Sequence, residues 1–424
     1  MSVPEVVANT PVEIWREIIE WVLFDPIIFL DDPFFPGCNL HTALNDWTDS
    51  RRLRKHEIQR GRLRLVSQAW KTLADSSSYR YFEPYSCNHV DLRVKQTQSA
   101  HRVEHYHRCG PPVLGSRVES CVGCEYCTDT GIKDVLLYYR PVSAKILRLP
   151  LWKQSQIYLN NPQKIFDNDF PNLRALFISV DAHSLDTVSK LFVNLTFLSL
   201  RKEAAYFPEN HPPLALAKLK TFQFQITDNG DITFLKRWSM PSLAHIDLIV
   251  EIPRIDLSDI CTLFLDIGHT AQSLRISSEM GFLPFPADIW EKMPLLEYLA
   301  LSTMERLDDS LLLVRPGPPP DHPFHTFAIL YDEGYMYRVR NDTRRVVEKW
   351  KGLSTIADSH SWENMPKGIS EDWEEGAQVT RGLGVTNDSD WEDVALLQLL
   401  CTQYGLRYED CSGRTFAEFQ AVHT

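Results

Sequence analysis

The stretch LTFLSL at residues 195–200 decides the predicted fold, because its pattern returns at LAHIDL (243–248) and LEYLAL (296–301). Apolar residues occupy positions one, four and six of each stretch. In a β-strand, positions four and six point to the same face. A single strand of this kind cannot bury its apolar edge alone, whereas stacked strands share a continuous core. The pattern therefore predicts an α/β protein built as a solenoid with a curved parallel sheet.

Eight stretches with this pattern follow one another along the chain. Their apolar positions are Ala144/Leu147/Leu149, Leu173/Leu176/Ile178, Leu195/Leu198/Leu200, Leu219/Phe222/Phe224, Leu243/Ile246/Leu248, Ala271/Leu274/Ile276, Leu296/Leu299/Leu301 and Phe324/Phe327/Ile329. The first positions of successive stretches differ by 29, 22, 24, 24, 28, 25 and 28 residues. This spacing resembles a leucine-rich repeat, which implies a solenoid over residues 85–340.

The repeat pattern is irregular after the strands. The asparagine that normally follows the strand in leucine-rich repeats is replaced by Asp181, Glu203 and Thr227 in three consecutive units. We therefore expect a degenerate solenoid with an irregular open curve. A parallel-sheet α/β sandwich is the alternative architecture.

Strand alternation also predicts which side chains point away from the core, onto the concave face. These are Phe177, Phe197, Arg201, Gln223, His245, Asp247, Arg275 and Tyr298, with Ser179, Ser199, Gln225 and Ser302 between them. The mixture of aromatic, amide and charged groups favours recognition of a partner protein, because concave solenoid faces commonly serve that purpose. The alternative is an ordinary solvated sheet face.

The N-terminal segment predicts an amphipathic helix from Thr10 to Val22. Thr10 is predicted to cap the helix, with Pro11 at the first helical position and Glu13 closing a capping box. Apolar residues recur at three- and four-residue spacing, at positions 14, 15, 18, 19 and 22. Asp25 precedes a proline and is therefore expected to end the helix.

A second amphipathic helix is predicted from about Arg62 to Ser76, through Leu65, Val66, Ala69, Trp70 and Leu73. A basic block leads into it, since seven of the fourteen residues at positions 51–64 are Lys or Arg. Such a block is typical of a nuclear-localisation or polyanion-binding segment. The alternative is a solvated helix face.

The two halves PVEIWxxII and LRLVSxxWxxLA, within residues 10–81, resemble the F-box in the version common in fungal F-box proteins. Two features depart from the family: Thr10 replaces the usual leucine before the proline, and the connector between the halves is longer than the family norm. The predicted domain covers residues 1–84. A helical hairpin packed on the rest of the chain is the alternative.

The resemblance implies a function. F-box helices bind the Skp-type adaptor of cullin–RING ubiquitin ligases, and the positions that would contact the adaptor are Pro11, Ile14, Ile18, Ile19, Leu65 and Val66. The chain would then be a non-catalytic substrate receptor whose repeats bind an unknown target protein. A repeat scaffold unconnected with ubiquitination is the alternative function.

A loop predicted as an insertion at residues 96–135 carries clustered thiols. Cys121, Cys124 and Cys127 have ligand-like spacing, and Cys109 or a histidine is a candidate fourth ligand for zinc. A zinc-dependent sensor is therefore a third, weaker hypothesis. Because a proper second cysteine pair is missing, we expect no resident cofactor, and the alternative is a loop with free cysteines.

Composition and charge narrow the possible classes of protein. The formal charge is −12, which argues against a general nucleic-acid binder, and no apolar run has the length of a membrane span. Nine cysteines without a secretory signal favour free thiols in the cytoplasm or nucleus. The common nucleophile-elbow, zinc-protease and phosphate-loop motifs are not found, so we expect no enzyme.

Residues 341–424 are predicted to cap the solenoid. The stretch Glu363–Asp393 has nine acidic and two basic residues, a local charge of −7, with Trp362 directly before it and Trp373 and Trp391 within it. Its polar bias predicts a partly disordered loop. The apolar spacing of residues 393–406 predicts a terminal helix over the last repeat.

Overall fold

Parallel strands and a few helices make up the fold in a computed structural model of the chain. The structure describes residues 10–30, 33–34, 44, 47, 50–77, 81–82, 102–104, 145–148, 172–180, 194–202, 213–226, 232–251, 258–278, 288–303, 317–330, 343–344, 346–348, 350, 352–358, 397–410, 413–415, 417–418 and 421. Two compact units are present. The first comprises Met1–Pro33 and Ala43–Leu219, and the second comprises Phe34–Thr42 and Lys220–Thr424.

The first unit begins with helix α1 (Val12–Leu23), followed by the single-turn helix α2 (Pro26–Phe29). The predicted start of α1 is wrong by one residue. Pro11 is the N-cap, with an extended ψ of 146°, and its carbonyl accepts the backbone N–H groups of Ile14 and Trp15. Thr10, the predicted N-cap residue, therefore lies one position outside the observed N-cap.

The second predicted helix is in fact two helices, α3 (Ser50–Arg64) and α4 (Gln68–Ser76). Ser67 separates them because its backbone is extended and its hydroxyl accepts the N–H of Trp70 at 3.1 Å, which caps α4. The basic block at positions 51–64 lies in α3. Helices α3 and α4 both pack against α1, around a small core of Ile19, Leu23, Leu73 and Ala74.

Among the described residues of the first unit, five strands pair in parallel and in chain order. They are β1 (Tyr81–Phe82), β2 (Arg102–Glu104), β3 (Ile146–Arg148), β4 (Ala175–Val180) and β5 (Phe197–Lys202), and the short strand β6 (Leu214–Ala215) follows. Strand β2 lies inside the segment predicted as an insertion, so that segment contributes to the sheet. The strand predicted at residues 88–94 lies outside the described residues.

In the described part of the second unit, seven strands pair in parallel and in chain order. They are β7 (Thr221–Ile226), β9 (His245–Val250), β10 (Ser273–Ser278), β11 (Tyr298–Thr303), β12 (Thr326–Leu330), β13 (Thr355–Asp358) and β14 (Arg407–Glu409). The short strand β8 (Trp238–Ser239) lies between β7 and β9. Helices α5 (Ser258–Ile267) and α6 (Ile289–Lys292) and a 3-10 helix (Thr233–Arg237) connect strands.

Each of the eight apolar stretches found in the sequence coincides with a strand, β3, β4, β5, β7 or β9 to β12. The parallel, solenoid-like arrangement is therefore confirmed. In the second unit, the inward position of each strand is in register with its neighbour, as Phe222, Ile246, Leu274 and Leu299 show, and all four are buried. Strands β13 and β14 extend the sheet into the region predicted as a cap, where residues 397–403 are helical.

Connecting segments close the inward side of the second unit's sheet. Phe264 of α5 packs on Phe222 and Phe224, with ring centroids 6.3 and 5.8 Å apart. Trp290 of α6 packs on Phe324 at 5.0 Å and on Trp350 at 5.7 Å. These rings bury large apolar areas between strand and connector.

We predict that Gly268→Ala destabilises the second unit. A Cβ at this position would lie 2.7 Å from the carbonyl oxygen of Phe264 and 2.8 Å from the Met293 side chain. Overpacking of this kind typically costs about 1–3 kcal/mol. The control is Gly61→Ala within α3, where nothing lies within 4 Å of a new Cβ and helix propensity favours alanine by about 1 kcal/mol. Urea unfolding of both variants measures the difference, and equal stability would contradict the packing.

Candidate interaction surfaces

Helix α1 carries two neighbouring apolar stripes, and only one of them is buried. Trp15, Ile19 and Leu23 form the inner stripe, which packs against α3 and α4. Ile14, Ile18, Trp21 and Val22 form the outer stripe, and all four are exposed, Trp21 to 74%. Because 3.6 residues make one helical turn, the two stripes lie side by side rather than on opposite faces. The helix therefore has about twice the apolar width that its own unit covers.

The turn between α3 and α4 exposes two more apolar side chains, Leu65 to 87% and Val66 to 60%. We call these two residues with the outer stripe of α1 the exposed helical set. Pro11 is also exposed. Of the six positions predicted to contact an adaptor, five are thus open to solvent. Ile19 is the exception, because it is 1% exposed in the helical core, and it is removed from the set.

The basic helix α3 is only partly a solvated face. Arg52 pairs with Asp25 at 2.9 Å, and Arg64 pairs with Asp75 at 3.1 Å. Arg60 is buried and donates to the carbonyl oxygen of Ala74 at 3.2 Å, while His56 is buried 2.7 Å from the carbonyl oxygen of Leu23. Part of the basic block therefore holds the helices together.

The predicted concave face is largely buried in the first unit. Phe177 of β4 and Phe197 of β5 point away from the sheet core, with ring centroids 5.0 Å apart. Trp47, which lies between α2 and α3 in the chain, packs on both rings at 5.3 and 4.7 Å. Trp47 and Phe197 are 0% exposed, so this part of the face is not a free surface. The prediction of an open binding face is wrong here because a long-range aromatic contact closes it.

The same face carries a polar row in the second unit. Gln223, Asp247 and Arg275 are in register on β7, β9 and β10. Gln223 donates to Asp247 at 2.7 Å, and Arg275 lies 3.6 Å from the same carboxylate oxygen. Asp247 and Arg275 are buried. Since a buried charge needs a partner, this row stabilises the register of three strands rather than presenting free charges.

His245 and Tyr298 occupy the adjacent row, on β9 and β11. The His245 ring lies 4.5 Å from Phe34, and its Nδ1 is 2.6 Å from the hydroxyl of Ser273. Burial, with a smaller repulsion from Lys220, lowers the pKa of His245 from 6.5 to about 4. Tyr298 packs against a buried cluster of Ala300, Ala328 and Ala357, the continuation of the polar row. Arg201 of β5 is half-buried.

The candidate zinc ligands Cys109, Cys121, Cys124 and Cys127 lie outside the described residues. Within the described part of the chain, no group of three or more His, Cys, Asp or Glu side chains is arranged to hold a metal ion. The zinc hypothesis stays a prediction. Among the helices that the structure describes, none is both long and apolar enough to cross a bilayer.

Comparison of the sequence with models of known protein families and with curated proteins finds no match. The surfaces must therefore be interpreted from their own chemistry. Trp47, Phe34 and Trp21 are the residues that sequence reasoning missed. Trp21 was detectable, because it follows Ile14 and Ile18 at helical spacing, whereas no local pattern predicts the strand contacts of Phe34 and Trp47.

We predict that His245 makes stability fall with acid. Its pKa is lower in the folded chain than in the unfolded chain, so the unfolded state binds more protons between these values, and stability is lost as the pH falls from about 6.5 towards 4. At pH 5 the loss amounts to about 2 kcal/mol, since one pKa unit corresponds to about 1.4 kcal/mol.

Urea unfolding at pH 7.5 and pH 5.0 measures this effect. His245→Asn, which cannot titrate, should lose about 2 kcal/mol less than the wild type over that interval. His269→Asn is the matched control for removal of an exposed histidine. An identical pH dependence in the wild type and His245→Asn would contradict the assignment.

Proposed function

We propose that the chain is a non-catalytic substrate-recruiting subunit of a cullin–RING ubiquitin ligase. In this proposal the helices of residues 10–77 are an F-box that binds the Skp-type adaptor, and the leucine-rich-repeat-like sheet binds a target protein. The single observation that carries the proposal is the uncovered outer stripe of α1. Its position matches the adaptor-contacting positions of the F-box resemblance at Ile14 and Ile18.

The energetics of the exposed helical set support a protein partner. Large apolar side chains scattered singly on a surface are normal, but four at helical spacing on one helix are not. Burial of apolar area yields roughly 25 cal/mol per Å², so covering several large side chains provides several kcal/mol for association. An apolar stripe at i, i+4 and i+7 spacing is typical of a helix that lies in a groove of its partner.

The fold of α1 explains how this stripe remains available. The inner stripe, with Trp15 packed on Trp70 at a centroid distance of 5.2 Å, is sufficient to hold α1 on α4. The outer stripe is therefore not needed for the helical core. The acidic and basic residues that flank the stripes, such as Glu17 and Arg16, keep the surface hydrated until a partner covers it.

In this proposal no residue of the chain carries out a chemical step. The subunit would act by position, holding the target near the ubiquitin-transfer machinery and so raising its effective concentration. The target would bind through the unit that contains the sheet. Expected localisation is cytoplasmic or nuclear, where such ligases operate.

The alternative function is a repeat scaffold that binds a protein without a link to ubiquitination. The observation that favours it is the extent of the sheet, which includes strands β13 and β14 beyond the predicted repeats. A scaffold needs no adaptor, so its exposed helical set would have no adaptor to bind. The adaptor experiment separates the two proposals directly.

We predict that Ile18→Asp abolishes co-purification of the full-length chain with a co-expressed Skp-type adaptor. A carboxylate at this position would be desolvated without a partner in an apolar groove, which costs several kcal/mol. The matched control is Ile58→Asp, because Ile58 is an isoleucine of α3 that is 58% exposed and lies outside the exposed helical set.

Both variants should keep the wild-type melting temperature, since both isoleucines are exposed in the chain alone. Retention of the adaptor by a folded Ile18→Asp variant would overturn the assignment of this surface. Failure of the wild type itself to bind any Skp-type adaptor would leave the scaffold as the supported function.

A further inference from the structure

The two outward phenylalanines of the first unit form an aromatic site that a third ring covers. Phe177 is in register with Ser199, and Phe197 is in register with Ala175. Between β4 and β5, each ring thus stands beside a small residue of the other strand, so the two rings are placed diagonally. This arrangement leaves room for a third ring to lie against both, and the indole of Trp47 takes that place.

The contact differs from ordinary core packing in its position. An outward-facing sheet position in a solenoid is normally polar, and the serine of β5 between Phe197 and Arg201 follows that rule. Trp47 reaches the sheet from the connector between the two F-box-like halves, only three residues before α3 begins at Ser50. The connector therefore supplies a side chain to the face on which the proposed target would bind.

We propose that the Phe177–Phe197 pair is a docking site for an aromatic side chain of the target protein, and that Trp47 is its resident, displaceable occupant. This inference rests on the proposed function of the sheet and names the chemistry of the target. The target segment presents a tryptophan or phenylalanine to the two rings. Edge-to-face and tilted packing around the indole accounts for the preference, because such pairs contribute beyond the area they bury.

The residues on either side of Trp47 indicate which residue types should flank the aromatic residue of a target segment. Trp47 lies between Asp46 and Asp49, in the pattern Asp-Trp-x-acid. The same pattern returns at Trp373 and at Trp391. Arg201 lies two positions beyond Ser199 on the face that carries Phe197, where a cation favours acidic neighbours of the ligand. The preferred target segment is therefore an aromatic residue flanked by acidic residues.

An internal occupant weakens but does not abolish external binding. A segment tethered close to its site competes at an effective concentration of roughly millimolar. The apparent dissociation constant of an external ligand equals its intrinsic value divided by the fraction of molecules from which Trp47 has left the site. Removal of the Trp47 side chain should therefore increase affinity for an external copy of the same segment.

The test uses the full-length chain and a fluorescently labelled peptide with the sequence TALNDWTDS, which is that of residues 42–50. Anisotropy should show that W47A binds the peptide at least tenfold more tightly than the wild type. The peptide with alanine in place of its tryptophan should bind W47A at least tenfold more weakly. Y404A, which removes an exposed aromatic ring of the second unit, is the control and should bind like the wild type.

Two further variants make every outcome decisive. W47L keeps most of the apolar volume, so it decides the test if W47A does not fold, and it should also gain affinity. F177L added to W47L should remove that gain, which locates the site. A folded W47L that binds no better than the wild type, an alanine peptide that binds equally well, or a W47L/F177L variant that keeps the gain would each overturn the proposal.

An adaptor-binding assay distinguishes failure of the docking site from failure of the proposed ligase function. W47L should still co-purify with the Skp-type adaptor, because Trp47 is not part of the exposed helical set. If the wild type binds no adaptor but W47L binds the peptide more tightly than the wild type, the docking site is supported and the ligase function is contradicted. If adaptor binding is normal and the peptide result is negative, only the docking site falls.

Discussion

The stack of inward-facing apolar side chains on the parallel strands is the interaction on which the rest of the structure depends. A strand such as β9 can bury Ile246 and Leu248 only when β7 and β10 stand beside it in the same register. Connectors then close the inward side with large rings, as Phe264 does. Because backbone pairing fixes the register of neighbouring strands, the outward-facing side chains form rows across the sheet. Each side chain in a row therefore has a defined position relative to its neighbours.

The outward rows are used for more than solvent contact. In the first unit, two phenylalanines receive the indole of Trp47. In the second unit, the pairing of Gln223, Asp247 and Arg275 joins three strands, and Phe34 packs on His245. Only the outer stripe of α1 and the turn at Leu65 and Val66 leave clustered apolar side chains uncovered among the described helices. Because these apolar side chains are exposed while the outward sheet residues named above are covered or paired, we propose that a protein partner binds the helices.

The strands could be predicted from the sequence because their pattern is local and is repeated eight times. The helix boundaries were less accurate, since Pro11 and Ser67 determine them by backbone conformation and a single hydrogen bond. Three features could not be predicted. Ile19 is buried because it packs with Leu73 and Ala74 of α4, and Trp47 and Phe34 contact strands that lie more than one hundred residues away in sequence. A single sequence contains no signal for such contacts.

In the proposed function, the outer stripe of α1 binds another protein, while the strands complete their own core. Hydrogen–deuterium exchange of the full-length chain, alone and with a purified Skp-type adaptor, tests this proposal most directly. The account predicts slower exchange on adaptor addition in peptides covering Val12–Leu23 and residues 62–68, with the strands unchanged. Protection confined to the strands, or no protection in the helices at saturating adaptor, would contradict it.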